Sequence, residues 1–175
     1  MLVTDYHHLL TTWNFGKKIR LMNKLVGKKA PNFKLMSTSK KIVELKKVKS
    51  KYIVLFFYPK DDTPGCTLET KDFNSLINKF TKMNCIIFGI SKDSLASHIK
   101  FKQKYKIKFD LLSDENKIAI KSFKTWGKKK FMGKEFMGQI RSTFLIANNK
   151  IINEWRNVRV KNHALEVINF LNEYK

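Results

Sequence analysis

Seven consecutive apolar or aromatic residues, Tyr52-Ile-Val-Leu-Phe-Phe-Tyr58, are rich in β-formers. Such a run predicts a strand buried on both faces. A turn follows, punctuated by Pro59, Asp61, Asp62, Pro64 and Gly65. After it Cys66, Phe73, Leu76, Ile77 and Phe80 fall at helical spacing. The pattern therefore predicts a helix from Cys66 to about Phe80 leaving a central strand.

The remaining chain continues the alternation. Ala30–Leu35 and Lys41–Leu45 read as a short hairpin or edge pair, and Cys85–Ile90 as a second buried strand. Ser91–Ser94 marks a helix start, with the helix running over Leu95–Tyr105. Phe109–Leu112 reads as a short strand, and Asp114 or Asn116 as the cap of a brief helix to Phe123. Residues 125–139, rich in Gly, Lys and aromatics, read as a loop. Thr143–Ile146 and Ile151–Trp155 form a hairpin pattern about Asn148 and Asn149, with Lys150 a turn residue. Asn162 stands where it can cap a last helix with an apolar stripe of Ala164, Val167, Ile168 and Leu171. Strands alternating with helices, then a hairpin and a helix, predict an α/β fold: a central mixed sheet with helices on both faces.

Composition narrows this picture. A chain of 175 residues with 43% hydrophobic content is one domain with a substantial core. No apolar run approaches the ~18 residues of a membrane span, and nothing in the pattern calls for a membrane partner. Two cysteines, Cys66 and Cys85, make neither a disulfide framework nor a zinc signature. A reducing compartment suits them, with cytoplasm the default. The net charge is +22, and only four of the 36 basic residues are arginines (Arg20, Arg141, Arg156, Arg159). Lysines spread along the whole chain read as a solvated surface, with no specific nucleic-acid partner implied, although weak salt-sensitive binding to nucleic acid is compatible with that charge. Residues 1–21 form an extension before Met22 and carry His7 and His8, which match no metal pattern. The segment reads as loosely docked: an import presequence, or residues upstream of a true start at Met22.

The candidate chemistry lies at Cys66. In the first turn of a helix the backbone N–H groups have no intrahelical partner and the dipole is positive. Cysteine pKa values fall from ~8.5 towards ~3.5–7.5 in such settings, and the thiolate is the nucleophile. Thr63, three residues upstream, can offer a hydroxyl to whatever Cys66 attacks, or cap the helix. Pro59 and Pro64 stiffen the turn.

Pro59-x-x-x-Thr63-x-x-Cys66 resembles the active-site motif of peroxiredoxins. The longer Tyr58-Pro-Lys-Asp-Asp-Thr-Pro-Gly-Cys-Thr-Leu-Glu69 resembles the peroxiredoxin Q group, also called bacterioferritin comigratory protein. Trp126–Ile146, ending in Arg141-Ser-Thr-Phe-Leu-Ile146, and Val160-Lys-Asn-His-Ala164 resemble it too, so the likeness covers roughly residues 22–175. The resemblance implies a thioredoxin-like fold and a thiol-dependent peroxidase, without cofactor or metal. Cys66 attacks a peroxide and becomes a sulfenic acid.

By that resemblance Arg141 stabilises charge on the peroxide oxygens, Thr63 hydrogen-bonds thiolate and peroxide, and Pro59 shields the thiolate from water. Glu69 either holds Arg141 by an ion pair or is simply a first-turn acid. Trp126 and Phe131 rim or support the pocket, or belong to the core. Many peroxiredoxin Q members carry a resolving cysteine five residues after the peroxidatic one, where this chain has Lys71. Cys85 is the other candidate, although it reads rather as a core residue. The chain therefore resembles a one-cysteine peroxiredoxin, monomeric and recycled by thioredoxin, glutaredoxin or glutathione. His98 and His163 read as surface or packing residues. A redox sensor, or a basic nucleic-acid-associated protein on the same scaffold, are the competing readings.

Overall fold

The hydrophobic run at Tyr52 becomes the middle of a sheet for a simple reason: every side chain on it is apolar, so both faces must be covered. In the computed structural model, which describes residues 24–174, strand β3 (Tyr52–Phe57) is buried along its whole length. Its alternate side chains enter two cores. Tyr52, Val54 and Phe56 point to one cluster, and Ile53, Leu55 and Phe57 to the other.

Around β3 the sheet has seven strands. β4 (Cys85–Ser91) pairs with β3 in parallel, and β5 (Asp110–Ser113) pairs in parallel with β4. β8 (Ser142–Ala147) runs antiparallel on the other side of β3, followed by β9 (Lys150–Arg156). The hairpin of β1 (Lys34–Ser37) and β2 (Ile42–Glu44) closes the far edge through β1 and β5. The order is β2-β1-β5-β4-β3-β8-β9.

Helices α1 (Pro64–Ser75), α2 (Ile77–Lys82), α3 (Leu95–Tyr105) and α5 (His163–Glu173) pack Phe73, Phe80, Phe101 and Val167 into the first cluster. The short α4 (Ile118–Ser122) packs Ala119 and Ile120 into the second, with Phe33 and Leu45. A mixed sheet with helices on both faces is the fold expected. No helix among the described residues is long and apolar enough to cross a membrane.

Several local expectations need correction. Residues 125–139 are not a loop. They form a two-stranded ribbon, β6 (Trp126–Phe131) and β7 (Lys134–Gln139), separate from the main sheet. Its turn, Met132-Gly133, has positive φ at both residues, which matches the right-handed twist of the strands. Gly133 was the turn signal; the lysines hid it by breaking any hydrophobic alternation.

The helix predicted over 66–80 breaks at Leu76, whose ψ of 3° leaves the helical region. Lys150 is the first residue of β9, opposite Ala147, and Asn148 and Asn149 alone make that turn, both at positive φ. Asn162 precedes α5 in a left-handed conformation and makes no side-chain cap. Ser94 does cap α3, accepting from Ser97 N at 3.2 Å. Of Asp114 and Asn116, it is Asp114 that binds the start of α4, accepting from the backbone N of Ile118 and Ile120 at 2.7 and 2.8 Å. The N-terminal extension 1–21 lies outside the described residues.

Candidate active site

Three segments converge where β3 ends: the turn 58–63, the first turn of α1, and Arg141 just before β8. Pro64 is the first residue of α1, a position where a missing N–H costs nothing. Cys66 therefore sits in the first turn, as the spacing predicts, and is 1% exposed. Gly65 lies close to Arg141: a Cβ there would stand 3.3 Å from Nη2, a tight contact that would press on the guanidinium.

Arg141 reaches both neighbours. Its Nη2 donates to Cys66 Sγ at 3.4 Å, and its Nη1 donates to Glu69 Oε2 in a short ion pair. Cys66 and Glu69 are three residues apart on one helix and so share a face. One planar guanidinium thus bridges them, a fork geometry that lysine does not possess. Glu69 is buried, and its Oε1 has no hydrogen-bond partner among the described residues. That burial pushes its pKa up to about 7, with the Arg141 charge pulling it back.

The turn ahead of Cys66 is tied to α3. Asp61 receives Tyr58 Oη at 2.7 Å and Ser97 Oγ at 2.7 Å, and meets His98 Nδ1 at 2.8 Å. His98 Nε2 faces the Leu112 carbonyl at 3.2 Å. The Asp61 backbone N donates to Asp93 Oδ2 at 2.9 Å. Asp62, at positive φ, binds Lys104 Nζ at 2.7 Å and Tyr105 Oη at 2.6 Å. Asp61, Asp93 and His98 offer ligand atoms within 4.8 Å of one another, yet these atoms are already occupied with each other and with the turn. The carboxylates read at sequence level as turn punctuation therefore anchor the loop before Cys66.

His98 is not a surface residue. It is fully buried, and so is His163. His163 Nε2 lies 2.8 Å from Thr143 Oγ1, two residues after Arg141, and its ring packs edge-on against Phe73 of α1. Burial lowers its pKa. The histidine thereby links α5, α1 and the start of β8. Only the motif Val160–Ala164 pointed to it, since a lone histidine at a helix start carries no pattern of its own.

Other expected residues stand elsewhere. Thr63 is the residue before α1, but its side chain makes no cap and its Oγ1 donates to the Lys60 carbonyl at 2.9 Å. Pro59 lies in the turn after β3. Trp126 packs with Ala30, Val43 and Val48 against the second core cluster, not the one that holds Cys66, and Lys117 Nζ sits 4.8 Å above its ring. Phe131 is 67% exposed at the end of β6, in the ribbon outside the main sheet. Lys71 is exposed on α1 and lines a groove of about 340 Å³ with Thr63, Pro64, Thr67 and Tyr105.

Cys85 opens β4 opposite Tyr52, the first residue of β3, whereas Cys66 follows the last. The two thiols therefore lie at opposite ends of the sheet, about 17 Å apart along a strand of this length. Both are free, and that separation exceeds the ~7 Å between Cα atoms that a disulfide tolerates. Burial pushes the Cys85 thiol up to about 12, far from thiolate chemistry. Cys85 is accordingly a core residue and not a resolving cysteine in this conformation.

Comparison with known proteins gives the family. A model of the AhpC/TSA family matches residues 26–155. Peroxiredoxin Bcp of Bacillus subtilis is 44% identical over 149 residues, 85% of this chain and 95% of the relative. A PrxQ mutant from Xylella fastidiosa superposes with a TM-score of 0.80 at 36% identity, covering 85% of this chain and 96% of that one. A bacterioferritin comigratory protein of Xanthomonas campestris, studied for alkyl peroxide reduction, gives 0.77 at 35% identity, over 81% and 91%. A thioredoxin-like mixed sheet, a cysteine in the first turn of α1 and matches of this extent make the chain a member of the AhpC/TSA family, a peroxiredoxin of the Bcp/PrxQ group that lacks a nearby resolving cysteine.

Proposed function

We propose that Cys66 is the peroxidatic nucleophile and that Arg141, Glu69, Thr63 and Pro59 serve it. The observation that carries this reading is the Arg141 fork, which touches the sulfur and the Glu69 carboxylate at once. The thiolate attacks the terminal oxygen of a peroxide. The S–O bond forms as the O–O bond breaks, and the departing oxygen takes a proton to leave as water or alcohol. Negative charge spreads over both oxygens in the transition state, where a fixed guanidinium beside the sulfur acts most strongly. Glu69 holds that guanidinium in place. The Thr63 hydroxyl, which donates to the Lys60 carbonyl, orients the peroxide by accepting its O–H, and Pro59 limits water in the turn.

The cycle closes with an external thiol: one thiol forms a mixed disulfide with Cys66 and releases water, and a second thiol frees Cys66. Thioredoxin, glutaredoxin and glutathione are the candidate reductants, and alkyl hydroperoxides join hydrogen peroxide as substrates. The enzyme acts as a monomer in the cytoplasm.

The test is intact mass after one equivalent of hydrogen peroxide with a dimedone trap. A single adduct on Cys66, absent in Cys66→Ser, is the expected result. Loss of two hydrogens without an adduct would instead make Cys85 the resolving thiol. An unchanged mass beside a reactive control would falsify the assignment of Cys66.

A further inference from the structure

The ribbon β6–β7 takes no part in the chemistry described above, yet it is built with care at one end and left bare at the other. At its base Ile140 N donates to the Thr125 carbonyl at 2.7 Å, and Gln139 Nε2 donates to Thr125 Oγ1 at 2.9 Å. Trp126 pins the same end to the second core cluster. Away from the base, the residues from Lys130 to Met137 are all exposed. The ribbon therefore stands off the domain.

Its exposed half has an ordered chemistry. At the tip Phe131 is 67% exposed and Met132 86% exposed, and behind them Phe136 and Met137 are 47% and 52% exposed. Behind the tip, Lys129 stands opposite Phe136 and Lys128 opposite Met137, while Lys134 faces Phe131. Lys130 and Glu135 form the remaining pair, and Glu135 is the one acid of the ribbon. One face thus carries Phe131 and Phe136 with Lys129 and Lys134, the other Met137 and Glu135 with Lys128 and Lys130, and Phe131, Met132 and Lys134 stand at the extremity. Monomeric proteins rarely leave such a patch uncovered without a use for it.

We propose that this ribbon docks on an anionic phospholipid surface, with Phe131 and Met132 entering the acyl boundary and the lysines meeting the phosphates. Met132 and Phe131 at the extremity reach the acyl boundary, while Lys134 beside them and Lys128, Lys129 and Lys130 behind them extend their long stems to the phosphate layer. A protein partner would cover one face, but here lysines stand on both faces and the most exposed apolar residue, Met132, lies at the extremity. Nucleic acid would reward the lysines and leave Phe131 and Met132 in water. The chain's +22 charge draws it to an anionic surface, and the tip supplies what charge alone does not. The ribbon runs into Arg141 two residues after Gln139, so docking leaves the base of the ribbon beside the Cys66 site.

Co-sedimentation with vesicles tests the proposal. The full chain binds vesicles of phosphatidylcholine and phosphatidylglycerol in equal parts and binds pure phosphatidylcholine weakly. The double variant Phe131→Ser, Met132→Ser keeps every charge, and it binds the anionic vesicles about tenfold less well while reducing hydrogen peroxide at the parental rate. In a second measurement, Phe131→Trp gains fluorescence that acyl-brominated lipid quenches. Equal binding by parent and double variant, or no quenching of the new tryptophan, overturns the proposal. So does duplex DNA that removes the protein from vesicles and binds the double variant as well as the parent, because the ribbon is then only part of a basic surface.

Discussion

At the scale of single residues the site depends on one guanidinium and two neighbours that fix it. Glu69 is the informative one, because burial and pairing pull it in opposite directions. Its folded pKa of about 7 lies above the ordinary carboxylate value of 4.5. The folded state therefore binds more protons than the unfolded chain between those limits. The stability this contributes is complete below the unfolded pKa and is lost as pH rises through the folded one. The slope approaches about −1.4 kcal/mol per pH unit at its steepest. Denaturant titrations of the parent between pH 5 and pH 8 will show this decline, and Glu69→Gln will flatten it. A parent and variant with parallel pH curves would show that Glu69 is ionised throughout. The residue scale was also the most legible from sequence: the spacing Pro59, Thr63, Cys66 needs only local chain geometry. Its partner Arg141 lies 75 residues away and was legible only through resemblance.

At the scale of elements the loop before Cys66 is held from outside by α3. The Asp61–His98 pair is buried, and removing the ring leaves Asp61 held by Tyr58 and Ser97 alone. His98→Asn is expected to cost about 1–3 kcal/mol, read as a lowered denaturant midpoint. Asp62→Asn, which touches an exposed lysine, is expected to cost less than about 1 kcal/mol. Equal costs for the two would mean that the buried pair contributes nothing beyond a surface contact. Element scale is also where sequence reading was uneven. β3, β4 and the stripe of α5 were plain because burial imposes a simple period on them. For His98 and His163 the choice between surface and packing stayed open in the sequence, because burial of a polar residue depends on distant partners, Asp61 and Thr143, that no local window contains. The ribbon β6–β7 was missed because its strands are exposed and thus have no hydrophobic alternation to show.

At the scale of the whole molecule the sheet separates the two thiols. β3 and β4 run in parallel register, so Cys85 begins one strand at the end of the sheet away from Cys66. Cys85→Ser is therefore expected to leave peroxide turnover within about twofold of the parent, measured with excess thiol reductant, because a buried thiol of high pKa exchanges poorly. A fall of tenfold or more would show that the two cysteines meet during the cycle. The same separation has a kinetic meaning. An enzyme with its own second thiol closes its oxidised state at a rate that ignores dilution. On the proposed one-cysteine cycle the oxidised state persists until another molecule arrives, so its lifetime doubles when the reductant is halved. The fraction of oxidised protein then tracks the ratio of peroxide to thiol around it, and the chain carries a running record of that ratio in a single sulfur atom.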